Sequence, residues 1–395
     1  MKTLTKSTSR DVFFADKLLL AGFGIHCSLK GMMLPYIMDE FLISYTQSGL
    51  LVTASTVGFA ISALLSGKLT EKISQVRLLA IYALLMFVSS LMIMFAPSIS
   101  WIIVAFFLSG ICYCGTESMS TAVIRSFSLP GREDKTVSSV FAFYMIGGVL
   151  ASLICYFILK TGTPWRFTYV IAGTPCLIAG IKILGIPDKP IEKTAKVFSL
   201  QIRELFTNRV FIYLCLAAAV FSGVETSTHN WITTFIKDGT SFGAAETYIL
   251  LALFYLSITV GRIICTGILN KTKTKTKTLV EAVLLFSTLV LLALSYAGNT
   301  ALVWTLTMAY GLCTSALYPM LISLTSGQAA GRAVYSVTFL AISVGNIATN
   351  ALLGVIADVF NVKATFRFDG ILLGFALAFV VLSEMKAKKQ ALERV

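Results

Sequence analysis

Charge is scarce in this chain: Asp, Glu, Lys and Arg make up only 13% of 395 residues, against about 25% in an ordinary soluble domain. With 56% hydrophobic residues, a water-facing fold is excluded, because no core can hide so much apolar surface. Histidine is nearly absent, with two residues. The eight cysteines (Cys27, Cys112, Cys114, Cys155, Cys176, Cys215, Cys265 and Cys313) sit inside apolar runs without the spacing of zinc sites or disulfide frameworks. They read as small packing residues, and no metal or other cofactor is expected. A Gly-Lys-Ser/Thr phosphate loop is missing, which argues against direct drive by ATP. Asp11 and Asp16 precede the first apolar run with no small-residue cleavage pattern, so no signal peptide is expected to be removed.

Long apolar runs are what the chain does have. Runs near 20 residues, each able to cross a ~30 Å hydrocarbon core, recur at Leu18–Met38, Gln47–Ser66, Leu78–Ala96, Trp101–Ile124, Val140–Leu159, Phe167–Ile186, Val210–Ile236, Thr247–Cys265, Leu279–Ala297, Leu302–Leu324, Val334–Ala357 and Phe368–Ser383. Solid apolar blocks of this length exclude alternating barrel strands, and lipid leaves helices as the alternative. The expected fold is an all-α polytopic membrane protein of twelve transmembrane helices.

The formal charge of +13 follows topology. With both termini inside, the basic residues gather in the amino-terminal tail, the inner loops (Lys68, Lys72 and Arg77; Arg125, Arg132 and Lys135; Lys182 to Arg209; Arg262 to Lys277; Arg332) and the carboxyl-terminal tail. Only Lys160, Arg166, Lys237, Lys363 and Arg367 fall outside. This is the positive-inside pattern. Spread over many short loops, the charge excludes a nucleic-acid partner. The run Lys271 to Lys277 reads as a solvated, topology-fixing loop that could also meet anionic lipid.

The chain repeats itself at an offset of about 200 residues. Gly24-Ile-His-Cys-Ser-Leu-Lys30 parallels Gly223-Val-Glu-Thr-Ser-Thr-His229; Gly67-Lys-Leu-Thr-Glu-Lys72 parallels Gly267-Ile-Leu-Asn-Lys-Thr272; Gly110-Ile-Cys112 through Met119 parallels Gly311-Leu-Cys313 through Met320. Two pseudo-symmetric six-helix bundles, residues 1–186 and 209–395, are therefore expected, joined by a cytoplasmic linker over 187–208. Two such bundles rocking about a central site would alternate its access. The chain is expected to work as a monomer.

This organisation resembles the major facilitator superfamily along essentially the whole chain. Gly67, Leu69, Glu71, Lys72 and Arg77 look like that superfamily's cytoplasmic loop signature, which implies a cytoplasmic gate, with Ser74 where a second glycine is usual. Trp165-Arg166 and Gly311 through Pro319 look familiar as well.

Ionisable groups within a span are costly unless paired or hydrated, so each is a candidate site. Lys30, Glu117 and Glu225 lie well inside the expected spans. His26 and His229 stand four residues from Lys30 and Glu225, each pair on one helical face. Glu117 could release and take protons as access alternates; alternatively it forms a permanent ion pair with Lys30. The stretch Gly223-x-Glu225 to Trp231, with Glu117 in a Gly-rich run, narrows the resemblance to the fucose permease-like sugar transporters. That resemblance implies proton coupling at Glu117, and a sugar site or outer gate at Glu225, Asn230 and Trp231. Carboxylates and amides suit sugar hydroxyls, and an aromatic face suits their C–H surface. One departure stands out: the family's acid ahead of the first-helix proline is absent before Pro35, and Lys30 lies beside its place. Lys30 either holds Glu117 ionised and abolishes proton coupling or attracts an anionic substrate such as a sugar acid. Further candidates are Tyr144, Tyr310 and Tyr318, and Asn346 and Asn350 on one face; the asparagines could equally be helix-to-helix glue. Arg262 and Lys182, near expected cytoplasmic ends, read as snorkelling.

The sequence thus points to proton-coupled symport of a small polar solute, a monosaccharide or sugar derivative, across a bacterial cytoplasmic membrane. Its alternatives are a uniporter or exchanger of an anionic solute, an exporter of amphipathic compounds and, more remotely, a nutrient sensor. The topology is open to test: a fluorescent protein fused after Val395 is expected to fluoresce in bacterial cells, whereas a fusion that is exported and dark would reverse the orientation.

Overall fold

The structure, a computed structural model, describes residues 6–129, 131–187, 205–271, 276–328 and 332–392. Most of the expected linker and the middle of the Lys271 to Lys277 run lie outside the described residues. The helices are α1 (Lys6–Met32), α2 (Leu34–Phe41), α3 (Tyr45–Thr70), α4 (Gln75–Met94), α5 (Ile99–Phe127), α6 (Glu133–Lys160), α7 (Phe167–Leu184), α8 (Arg209–Gly239), α9 (Ala244–Lys271), α10 (Thr276–Tyr296), α11 (Thr300–Thr314), α12 (Leu317–Ser326), α13 (Arg332–Val359) and α14 (Val362–Leu392). Among the described residues they supply twelve segments long and apolar enough to span a membrane, with α11 and α12 together making one.

Local signals set many of the helix ends. Ser74 caps α4 by accepting the Arg77 amide at 3.2 Å. Asn208 accepts from the Val210 and Phe211 amides at the start of α8, and Asn299 from Ala301 at the start of α11. Short polar side chains are suited to this because they meet amides with no intrahelical partner.

Two spans expected to be continuous are each broken ahead of a proline. The first divides into α1 and α2 at Met33, with Pro35 in the first turn of α2; the tenth divides at Ser315 and Ala316, ahead of Pro319. Proline lacks the amide hydrogen that would bond the carbonyl four residues back. For Pro319 that carbonyl belongs to Ser315, and the Arg262 guanidinium donates to it from Nε at 3.2 Å and Nη2 at 3.1 Å. Arg262 is therefore a backbone patch on α11 rather than a snorkelling cation. At the first break, Tyr248 donates to the Met32 carbonyl at 3.3 Å.

Two compact units make up the chain: Met1–Ile43, Leu50–Thr194 and Gly243–Ala252 form one, and Ser44–Gly49, Ala195–Phe242 and Leu253–Val395 the other. In the first unit α1 packs on α6 and α7, and α4 on α5 and α7. Gly24 and Gly147 mark the crossing of α1 and α6: a Cβ on Gly24 would strike the Tyr144 carbonyl, and one on Gly147 would stand 2.8 Å from the Gly24 Cα. Small residues of this kind let membrane helices approach through their backbones.

In the second unit α8 packs on α13 and α14, and α10 on α14. Gly223 and Gly345 repeat the crossing between α8 and α13; a Cβ on Gly223 would lie 2.9 Å from the Gly345 carbonyl. The matching glycines Gly24 and Gly223 thus occupy equivalent crossings in the two units. The second unit also holds the first turn of α3, where Asp358 accepts the Tyr45 and Thr46 amides at 3.0 and 2.8 Å and Tyr45 donates from its hydroxyl to Asp238 at 2.8 Å.

The patch on Ser315 generates a paired prediction. Arg262→Met is expected to destabilise the folded protein by about 1–3 kcal/mol, the cost of a buried polar group left without its partner. Pro319→Ala restores the helical amide to the Ser315 carbonyl and is expected to recover much of that loss. Equilibrium unfolding in mixed micelles reads both, and an Arg262→Met protein as stable as wild type would refute the role.

Candidate functional site

In the first unit, α1 presents His26 and Lys30 one turn apart, and α5 presents Tyr113 and Glu117 one turn apart. His26 Nδ1 shares a 2.8 Å hydrogen bond with the Tyr113 hydroxyl, and Nε2 shares one of 3.4 Å with Ser89, which in turn bonds Ser109 at 3.0 Å. The imidazole is 1% exposed and stands edge-on to Tyr113 and Tyr169. Both ring nitrogens are engaged by protein, which makes His26 a node joining α1, α4 and α5.

Lys30 has different company. Its Nζ donates to Ser55 at 3.4 Å and lies 5.7 Å from the centre of the Tyr113 ring. Among the described residues no ion pair joins it to Glu117, so the permanent tie between them is absent. Glu117 is half-buried in mid-α5. Tyr144 packs its ring 4.8 Å from Phe23, beside the Gly24 crossing.

In the second unit, α8 carries Glu225, Ser227, Thr228, His229, Asn230 and Trp231 within two turns. Glu225 is half-buried. Asn230 Nδ2 donates to Asn350 Oδ1 at 3.2 Å, and Asn350 donates to the Asn346 carbonyl at 2.9 Å. The sequence-predicted asparagines therefore do meet, with α8 and α13 held by an amide pair. Thr228 and Tyr310 are 3.4 Å apart, His229 packs on Phe254 and Tyr255, and fully buried Trp231 sits 6.1 Å from the Tyr45 ring. Tyr318 is half-buried in α12, just ahead of Pro319.

The signature loop joins α3 to α4. Glu71, Lys72 and Arg77 are exposed around it, and Gly67 lies in the last turn of α3. Ser74, in the usual place of a glycine, is the α4 cap.

Sequence reasoning overlooked two buried carboxylates. Asp16 in α1 accepts from Ser120 of α5 at 2.8 Å, and Asp369 in α14 accepts from Ser227 of α8 at 2.8 Å; in each, the second oxygen has no hydrogen-bond partner. Both acids lie at the edges of the expected apolar runs, but α1 and α14 begin well before those runs. The available signal was the apolar residues on both sides of each acid. Tyr113 was missed for another reason: an aromatic in an apolar helix announces no partner.

A family model described as the Major Facilitator Superfamily matches residues 18–348. A protein described as a TsgA homolog from Buchnera aphidicola subsp. Baizongia pistaciae is 21% identical over 370 residues, 91% of this chain and 92% of its own. The galactose-proton symporter of Escherichia coli K12 is 26% identical over 173 residues, covering 43% of this chain and 37% of that protein. A solved structure of a D-xylose-proton symporter shares the fold with a TM-score of 0.79 at 13% identity, covering 94% of this chain and 97% of the other.

The amide pair separates two roles for the asparagines. A double-mutant cycle of Asn230→Ala and Asn350→Ala is expected to show a stability coupling of about 0.6 kcal/mol, typical of polar contacts between membrane helices. No coupling, together with weakened solute binding in each single variant, would shift both residues from helix glue to ligand contact.

Proposed function

Because the chain belongs to the Major Facilitator Superfamily, we propose that it moves a small polar solute, a monosaccharide or sugar derivative, by alternating access in symport with protons. The observation carrying the proton step is the setting of Glu117. This carboxyl sits midway along a membrane-spanning helix, half-buried, with no ion pair among the described residues. An acid locked to a lysine could not change protonation without losing that pair. Glu117 has no such constraint and can gain or lose a proton as its surroundings alternate.

The solute class rests on polar and aromatic groups of the second unit. Glu225, with Trp231 and Tyr310 nearby in sequence or space, supplies the residue types that recognise hydroxyls and pyranose faces. The partial likeness to a galactose-proton symporter supports the same reading of substrate and coupling. Glu71, Lys72 and Arg77, exposed at the α3–α4 turn, suit a latch on the inner side.

Proteoliposomes with a pH-sensitive dye test this directly. Adding a transported neutral sugar outside is expected to alkalinise the external medium, and Glu117→Gln is expected to abolish proton movement while labelled sugar still exchanges. Sugar uptake without proton movement in the wild type would make the protein a uniporter or exchanger and remove Glu117 from this role.

A further inference from the structure

Lys30 is a buried cation to which neutral-sugar symport gives no task. The side chain is 7% exposed within the span Arg10–Met32, where an ammonium without a counter-charge costs several kcal/mol. Its partners, the Ser55 hydroxyl and the Tyr113 ring face, carry no charge. The carbonyls at the end of α1 favour a cation there by only about 0.3–1 kcal/mol, which leaves most of the cost uncompensated.

Nearby acids of the first unit do not fill the gap. Asp16 is bonded to Ser120 and lies on the order of 20 Å away along α1, at 1.5 Å per residue. Glu40 pairs with Arg166 at 2.6 Å and accepts from Trp165 at 2.7 Å. Glu117 makes no ion pair with Lys30 among the described residues. His26, one turn away, is occupied by Tyr113 and Ser89.

We propose that Lys30 and Ser55 form a subsite for the carboxylate of an acidic monosaccharide, such as a hexuronate or aldonate. This rests on the reading of the protein as a sugar transporter and specifies the sugar. The ammonium has three donors, and Ser55, accepting from Nζ, keeps its own hydroxyl hydrogen for the same anion. One ammonium balances one negative charge, which favours a monocarboxylate over a phosphate dianion. Lys17 and Lys182 lie over the Phe143 and Phe14 rings, more than ten residues from Lys30 in sequence or on another helix, and add no second charge to the subsite.

Uptake into proteoliposomes, measured for D-galactose, D-galacturonate, D-glucose and D-gluconate, provides the test. Wild-type protein is expected to prefer each acid over its neutral parent at least tenfold in kcat/KM, and Lys30→Met to bring that ratio below twofold. Lys30→Arg keeps the charge and is expected to retain a preference. Ser55→Ala is expected to reduce it a few-fold, and serves if Lys30→Met does not fold, as judged by gel filtration. Neutral sugars carried without any preference for the acids, or a preference that survives Lys30→Met, would overturn the subsite while leaving sugar transport standing. Transport of none of the four sugars would overturn both.

Discussion

Lipid offers a peptide group no hydrogen-bond partner, and an unsatisfied amide or carbonyl there costs several kcal/mol. The architecture depends on this constraint. It turns each apolar run into a helix and makes every interruption conspicuous. Among the described residues two spans break ahead of a proline, and a side chain of α9 meets a backbone carbonyl at each: Arg262 donates to the Ser315 carbonyl that Pro319 leaves without its helical amide, and Tyr248 to the Met32 carbonyl beside the first break. A guanidinium is drawn into the membrane because it carries several donors in a fixed fork, two of which reach the same oxygen.

Once the helices form, they must pack without help from the hydrophobic effect, since lipid tails are as apolar as leucine. Close backbone approach takes its place. Gly24 with Gly147 and Gly223 with Gly345 bring helix axes together at equivalent positions in the two units, which gives the internal repeat a packing cause. The same economy of space explains Gly110 and Gly311, whose missing Cβ atoms leave room for α3 and α9 respectively.

Polar groups inside the units fall into two kinds. His26, Asn230, Asn350, Asp16 and Asp369 are tied to another helix by a hydrogen bond, and their first consequence is to hold helices in register. Glu117, Glu225 and Lys30 make no ion pair within salt-bridge distance among the described residues. In a medium where an isolated charge is costly, groups of the second kind are the ones whose state a solute or a proton can change. The proposed transport chemistry is drawn from them.

Helix number, the repeat and the location of ionisable residues were legible in the sequence because apolar length and charge spacing are one-dimensional quantities. Gly24 and Gly223 were legible as matching positions of the repeat, while their place at helix crossings came from the packing. Partnerships were not legible, because a hydrogen bond between helices depends on their rotation and depth. Lys30 and Glu117 are opposite charges on the first and fourth spans, yet the fold gives Lys30 to Ser55 and the Tyr113 ring. Asp16 and Asp369 looked like edge residues until α1 and α14 extended past their apolar runs. By itself, the sequence determined that this chain crosses the membrane twelve times in two related halves, since only helices satisfy the backbone in lipid. Tertiary structure alone decided which polar side chains are bound to one another and which remain unpaired, since that follows from how each helix is turned against its neighbours.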